Sequence, residues 1–174
     1  RALPLYAPDV AACALDLSDN TSLWGPAPAA RRALVAAAST AAVTSRYPSL
    51  YSAPLRDAIL RYVGLDDTAG VGVVTGCGSD DVIDATMRAF ANSGDRIVAS
   101  TPTFSMVGTF ARLNGLELMS VPLTEQYDVD PERLVSTRAK ITYLCTPNNP
   151  TATALSRDAV EYVVAHASGV VLLD

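Results

Sequence analysis

Lysine is almost missing from this chain of 174 residues: Lys140 is the only one, beside twelve arginines. A single lysine leaves one candidate side-chain amine for covalent chemistry. Histidine is reduced to His166, which excludes a His-rich metal site. With Leu155, Ala159, Tyr162 and Val163 at helical spacing, His166 reads as a packed helix-face residue. The three cysteines, Cys13, Cys77 and Cys145, are far apart and form no C-x-x-C pair. That pattern argues against a zinc site and a disulfide framework, so no metal is expected and a reducing cytoplasm is the expected location. No apolar run approaches the roughly 20 residues of a membrane span, and no basic-then-apolar leader is visible at the start. Basic residues are also outnumbered, 13 against 18 acidic, for a net charge of −5. The excess of acid argues against nucleic acid as a partner.

What is present is the material of a folded α/β domain: 49% hydrophobic and 18% charged residues, with 10 Gly and 11 Pro. Residues 1–27 are irregular and read as an arm with turns. Pro28 opens an Ala-rich helix to about Ala42, and Pro54 starts a second helix that runs to Val63 and stops at Gly64. From residue 71 short apolar runs alternate with helical patterns. Strands are expected at Val71–Thr75, Arg96–Ser100, Glu117–Val121, Ile141–Cys145 and Val170–Leu173. Helices are expected at Asp80–Ala91, Phe104–Leu113, Asp130–Val135 and Ser156–Ala167. The first of these puts Val82, Ile83, Thr86, Met87 and Phe90 on one face. Strands joined by helices imply a mostly parallel sheet covered on both faces, a three-layer αβα architecture.

Ligands of such sheets sit at the carboxyl ends of the strands. Those ends carry G-C-G-S (76–79), T-P-T-F (101–104), C-T-P-N-N-P-T (145–151) and Asp174. A Gly-x-Gly turn before a helix serves equally as a tight turn or as a cradle for an anion at the helix N-terminus. It fails the dinucleotide fingerprint, because Asp81 replaces the third small residue and no acid ends the next strand. Phe104 can fill the core or stack on a planar ring. The paired asparagines can shape a plain loop or present an amide to a ligand oxygen. Asp174 ends a V-V-L-L run, where a carboxylate is costly unless it pairs with a cation or caps a helix.

Taken in order, these segments resemble the N-terminal half of a fold-type I pyridoxal-phosphate enzyme of the class I/II aminotransferases, within the histidinol-phosphate aminotransferase group. The resemblance runs through D-N-T-S-L-W-G-P (19–26), R-Y-P (46–48), G-C-G-S-D-D (76–81), T-P-T-F, C-T-P-N-N-P-T and V-L-L-D (171–174). It implies pyridoxal 5'-phosphate as cofactor. Gly78, Ser79 and Asp80 would form the phosphate cup, Phe104 would stack on the pyridine ring, Asn149 would donate to its phenolic oxygen, and Asp174 would pair with the ring nitrogen. Tyr47 would reach the phosphate of the neighbouring subunit, making a homodimer with shared sites, and Asn20 and Trp24 would border the substrate. The implied activity moves an amino group between a small-molecule amino donor, an amino acid or amino-alcohol phosphate, and a 2-oxo acid acceptor.

Departures from that pattern are Phe104, where many members carry tyrosine, and Ala152, where a glycine usually follows N-N-P-T. Lys140 precedes its strand and so lies at the wrong end of the sheet for chemistry. The resemblance puts the Schiff-base lysine beyond Asp174, so no catalytic residue is expected within the chain. The chain is therefore expected to be part of a longer enzyme and inactive alone. The expected organisation is an arm and helix over 1–45, then the first part of a large cofactor-binding domain over 46–174. Alternatives are a decarboxylase of a phosphorylated amino acid on the same scaffold, a non-catalytic homologue, and a generic nucleotide-binding domain.

Overall fold

The computed structural model describes residues 14, 20–49, 52–68 and 70–174. Of the arm expected over residues 1–27, residues 1–13 and 15–19, Cys13 among them, lie outside the described residues. The chain packs as two units, Arg1–Val71 and Gly72–Asp174. The boundary drawn at residues 45/46 from the sequence falls inside the first unit.

Among its described residues the first unit holds three helices: α1 (Pro28–Ala38), α2 (Ala41–Thr44) and α3 (Ala53–Val63). Both longer helices have proline in the first turn, where its missing N–H has no helical partner to lose. The Ala-rich stretch expected as one helix breaks at Ser39–Thr40, whose hydroxyls turn back to the carbonyls of Val35 and Ala36. Such back-bonding satisfies the carbonyls at a helix end without continuing the spiral. Gly64 closes α3 in the left-handed region at φ 71°.

The second unit contains α4 (Gly78–Phe90), β1 (Arg96–Thr101), α5 (Met106–Leu113), β2 (Glu117–Pro122), α6 (Pro131–Ser136), β3 (Ile141–Leu144), α7 (Arg157–His166) and β4 (Val170–Leu173). The four strands form one parallel sheet in the order β2-β1-β3-β4. Alternation of side chains sends Ile97, Ala99, Ile141 and Tyr143 to one face, against Ile83 and Met87 of α4 and Val107, Phe110 and Ala111 of α5. Val98, Val121 and Leu144 go to the other, against Leu134 of α6 and Ala159 and Val163 of α7. The expected three-layer αβα arrangement is therefore present. Strands apolar on both faces need such double cover, and each fully buried large aliphatic or aromatic side chain contributes about 1.5–3 kcal/mol. Asp130 and Ser156 cap α6 and α7 by accepting from Arg133 N and Ala159 N. Gly169 is required beside β3: a Cβ there would overlap the Lys140 carbonyl, which accepts from Val170 N at 3.0 Å.

Three expectations are corrected. Val71–Thr75 is not a strand but an unpaired segment, mostly exposed. Its β-branched residues fit a pleated surface, yet a strand needs a ladder, and none forms there among the described residues. Phe90, assigned to the inward face of α4, is 51% exposed; the buried stripe is Ile83 and Met87. His166 is exposed as well. The buried stripe of α7 ends at Val163, and the imidazole stacks on Tyr162 with ring centroids 4.2 Å apart.

Candidate functional site

The strand order dictates where a site can form. From β1 the chain turns to α5 on one face, and from β3 it turns to α7 on the other. The two exits diverge, opening a crevice at the carboxyl ends of neighbouring strands. A cleft of about 230 Å³ lies there, lined by Ser79, Phe104, Cys145, Thr146, Pro147, Asn149 and Asp174. Its size suits one small ring rather than an extended dinucleotide.

Four segments far apart in sequence thus converge. Ser79 comes from the first turn of α4, Phe104 from the loop after β1, Asn149 from the loop after β3, and Asp174 from the end of β4. Gly78 and Asp80 flank Ser79 on α4 but do not line the cleft. Phe104 is half-buried and packs on the core as well as lining the cleft. Asn20, Trp24 and Tyr47 belong to the other unit; Trp24 is 92% exposed and Tyr47 fully exposed.

No side chain caps the N-terminus of α4. The Asp81 carboxylate, which would repel an anion, turns back to accept from Cys77 N at 2.9 Å. Gly76 permits this, because a Cβ there would come within 2.8 Å of Asp81 Oδ2. The first-turn amides of Gly78, Ser79 and Asp80 have no hydrogen-bond partner among the described residues and lie at the positive end of the helix dipole.

The adjacent asparagines have divided roles. Asn148 is 4% exposed and all its side-chain groups are used. Its Oδ1 accepts from Thr103 Oγ1 (3.1 Å), and its Nδ2 donates to Pro102 O (3.0 Å) and Thr151 Oγ1 (2.9 Å). Asn148 thereby clasps the loop after β1 to the loop after β3. Asn149 is half-buried in the cleft, and its amide has no hydrogen-bond partner among the described residues. Ala152, where the resemblance led to an expectation of glycine, adopts φ 57° and donates its amide to Asn148 O at 2.7 Å.

Asp174 is held from below. The Tyr143 hydroxyl donates to Asp174 Oδ2 at 2.6 Å, while Asp174 N donates to Leu144 O at 2.9 Å. Tyr143 is only 1% exposed. Burial first, then the bond to Asp174, then the neighbouring Cys145, push its phenol far above the ordinary tyrosine range. Neither Tyr143 nor Asn148 was singled out from sequence. The one signal available was a phenol inside a short strand otherwise made of Ile, Thr and Leu. Lys140 begins its contacts at the opposite end, its amide donating to Arg96 O at 2.8 Å, and lines a separate pocket with Arg96 and Arg138. Among the described residues no cluster of ligands suited to a metal occurs, and no helix is long and apolar enough to cross a membrane.

Comparison with known proteins follows this geometry. The family model for aminotransferase class I and II matches residues 13–174. Histidinol-phosphate aminotransferase of Roseiflexus castenholzii is 40% identical over 152 residues, covering 84% of this chain and 40% of that protein. The protein of the same name from Methanoculleus marisnigri is 34% identical, covering 91% of this chain and 43% of its own length. The chain thus spans less than half the length of these curated relatives. A crystal structure of the Sinorhizobium meliloti histidinol-phosphate aminotransferase in complex with pyridoxal-5'-phosphate superposes with a TM-score of 0.76. It covers 87% of this chain and 41% of that one at 23% identity, a likeness of fold.

Proposed function

The chain belongs to the class I and II aminotransferase family, and from that premise we propose that it binds pyridoxal 5'-phosphate in the cleft at the ends of β1, β3 and β4. The whole protein, on this reading, transfers an amino group between an amino-alcohol phosphate of the histidinol-phosphate type, or an amino acid, and a 2-oxo acid. The observation that carries the reading is the convergence of Ser79, Phe104, Asn149 and Asp174 on one cleft.

The residues present fit the cofactor. The uncapped amides of Gly78, Ser79 and Asp80, with the Ser79 hydroxyl, would hold its phosphate. Phe104 would stack on the ring, and the unpartnered Asn149 amide would donate to the phenolic oxygen. Asp174, with Oδ2 engaged by Tyr143 and Oδ1 free of protein partners among the described residues, would hold a proton on the ring nitrogen. When bound, the cofactor supplies an electron-withdrawing ring that stabilises negative charge at the substrate α-carbon. Phe104 and Pro147 would offer the ring an apolar surface within the cleft. The chain's single lysine lies away from the cleft, so no residue lining it is given an amine role.

The same reading assigns Tyr47 to the phosphate of the neighbouring subunit in a homodimer, Asn20 and Trp24 to the border of the substrate site, and the cytoplasm as location. The test is a spectroscopic titration with pyridoxal phosphate, followed by product analysis of the whole protein with histidinol phosphate and a 2-oxo acid. Saturable binding and formation of the new amino acid support the reading. Absence of cofactor binding, or release of carbon dioxide in place of a keto product, overturns it.

A further inference from the structure

The sheet register brings one buried phenol to the acid of the cleft. In the parallel pairing of β3 with β4, Tyr143 lies opposite Leu172, and both contribute to the same core face. Asp174, two residues on, returns to that face, at the diagonal distance a long side chain spans. Tyr143 reaches it from the buried core with a 2.6 Å bond to Oδ2. Asp174 is exposed, whereas Tyr143 is 1% exposed and packed among Ile97, Ile141 and Cys145. The rigid partner of the pair is therefore the phenol, and the mobile carboxylate is the group being held.

We propose that Tyr143 is a positioning residue for Asp174: its hydroxyl occupies Oδ2 and fixes the carboxylate plane, leaving Oδ1 as the acceptor for the protonated ring nitrogen of the cofactor. This rests on the cofactor reading above. A hydrogen bond donated to a carboxylate is charge-assisted and directional, so the contact holds the Asp174 side chain in one orientation. The phenol can play that part at any working pH, because burial keeps it protonated. Without the hydroxyl, Asp174 would turn freely toward solvent, and part of its hold on the ring would go into ordering it.

The test is a double-mutant cycle of Tyr143→Phe and Asp174→Ala in the full chain, with pyridoxal phosphate as the probe. Two quantities are read: cofactor affinity, and the nitrogen NMR shift of ring-labelled cofactor, which reports protonation of the ring. Tyr143→Phe is expected to weaken affinity about tenfold, the usual worth of a charge-assisted hydrogen bond, and to move the ring nitrogen toward its unprotonated shift. In the Asp174→Ala background the same change is expected to have no further effect. Equal penalties in both backgrounds, or an unmoved nitrogen shift, overturn the proposal. Circular dichroism checks that each variant folds. If Tyr143→Phe does not fold, the ring-carbon NMR shift of Tyr143 reads the contact directly. It should move in Asp174→Ala and again on saturation of the wild type with cofactor, and a static signal overturns the proposal. A wild type that binds no cofactor overturns the functional reading itself, an outcome distinct from either.

Discussion

Replacing Asn148 by alanine should cost far more stability than the same change at its neighbour. Asn148→Ala removes three hydrogen bonds from a side chain that is 4% exposed: those with Thr103 Oγ1, Pro102 O and Thr151 Oγ1. At a net of about 1 kcal/mol each, the loss is about 3 kcal/mol. Some of this is recoverable, since Thr151 Oγ1 also bonds Thr153 Oγ1 at 2.7 Å and Thr103 is partly open to water. Pro102 O has no other protein partner among the described residues. Asn149→Ala removes a half-exposed amide with no partner, and the cost should stay within about 0.5 kcal/mol. Urea denaturation of the two variants measures the contrast. In thermal melts, with roughly 4–8 °C lost per kcal/mol for a unit of this size, only Asn148→Ala should show a large drop, about 10–20 °C. Equal destabilisation by the two substitutions would refute the division of labour. So would an Asn148→Ala variant as stable as the wild type.

Ala152→Gly should stabilise the fold. A non-glycine residue at φ 57° pays about 1–2 kcal/mol for the left-handed region, and glycine's extra unfolded-state freedom returns about 0.5–1 kcal/mol of that. The net gain should be about 0.5–1 kcal/mol, and a lowered denaturation midpoint would contradict it. Tyr143→Phe should flatten the alkaline limb of the stability curve. The folded phenol holds its proton above the pH, roughly 10, at which the unfolded chain releases it. Its contribution is thus complete below about pH 10 and declines above it by about 1.4 kcal/mol per pH unit. Denaturation series through that range should give a shallower slope for the variant; equal slopes would exclude the assigned protonation.

Much of the sheet could be read from sequence because β1 and β3 are short runs in which apolar and β-branched residues dominate and both faces are buried, a pattern with few alternatives. The same reasoning failed at Val71–Thr75, since β-branching records only fitness for a pleated surface, and pairing is a property of a neighbour. The cleft residues Ser79, Phe104, Asn149 and Asp174 were legible as a set because each follows a strand or opens a helix. Their supports were not. Asn148 and Asn149 are chemically identical neighbours, and what separates them is a contact with Thr103, 45 residues away. The bond between Tyr143 and Asp174 spans 31 residues and follows from which strands lie side by side, a fact of topology that no local window contains.

The position of Lys140 has a practical corollary. It is the chain's only lysine and sits where β3 begins, with the whole length of the sheet between it and the cleft. Coupling through that side-chain amine, to a sensor surface or a fluorescent dye, would therefore attach at the end of the sheet away from the cleft and leave the carboxyl ends of the strands facing solution. Binding measured on a chain tethered in that way would report on the cleft with its mouth unobstructed.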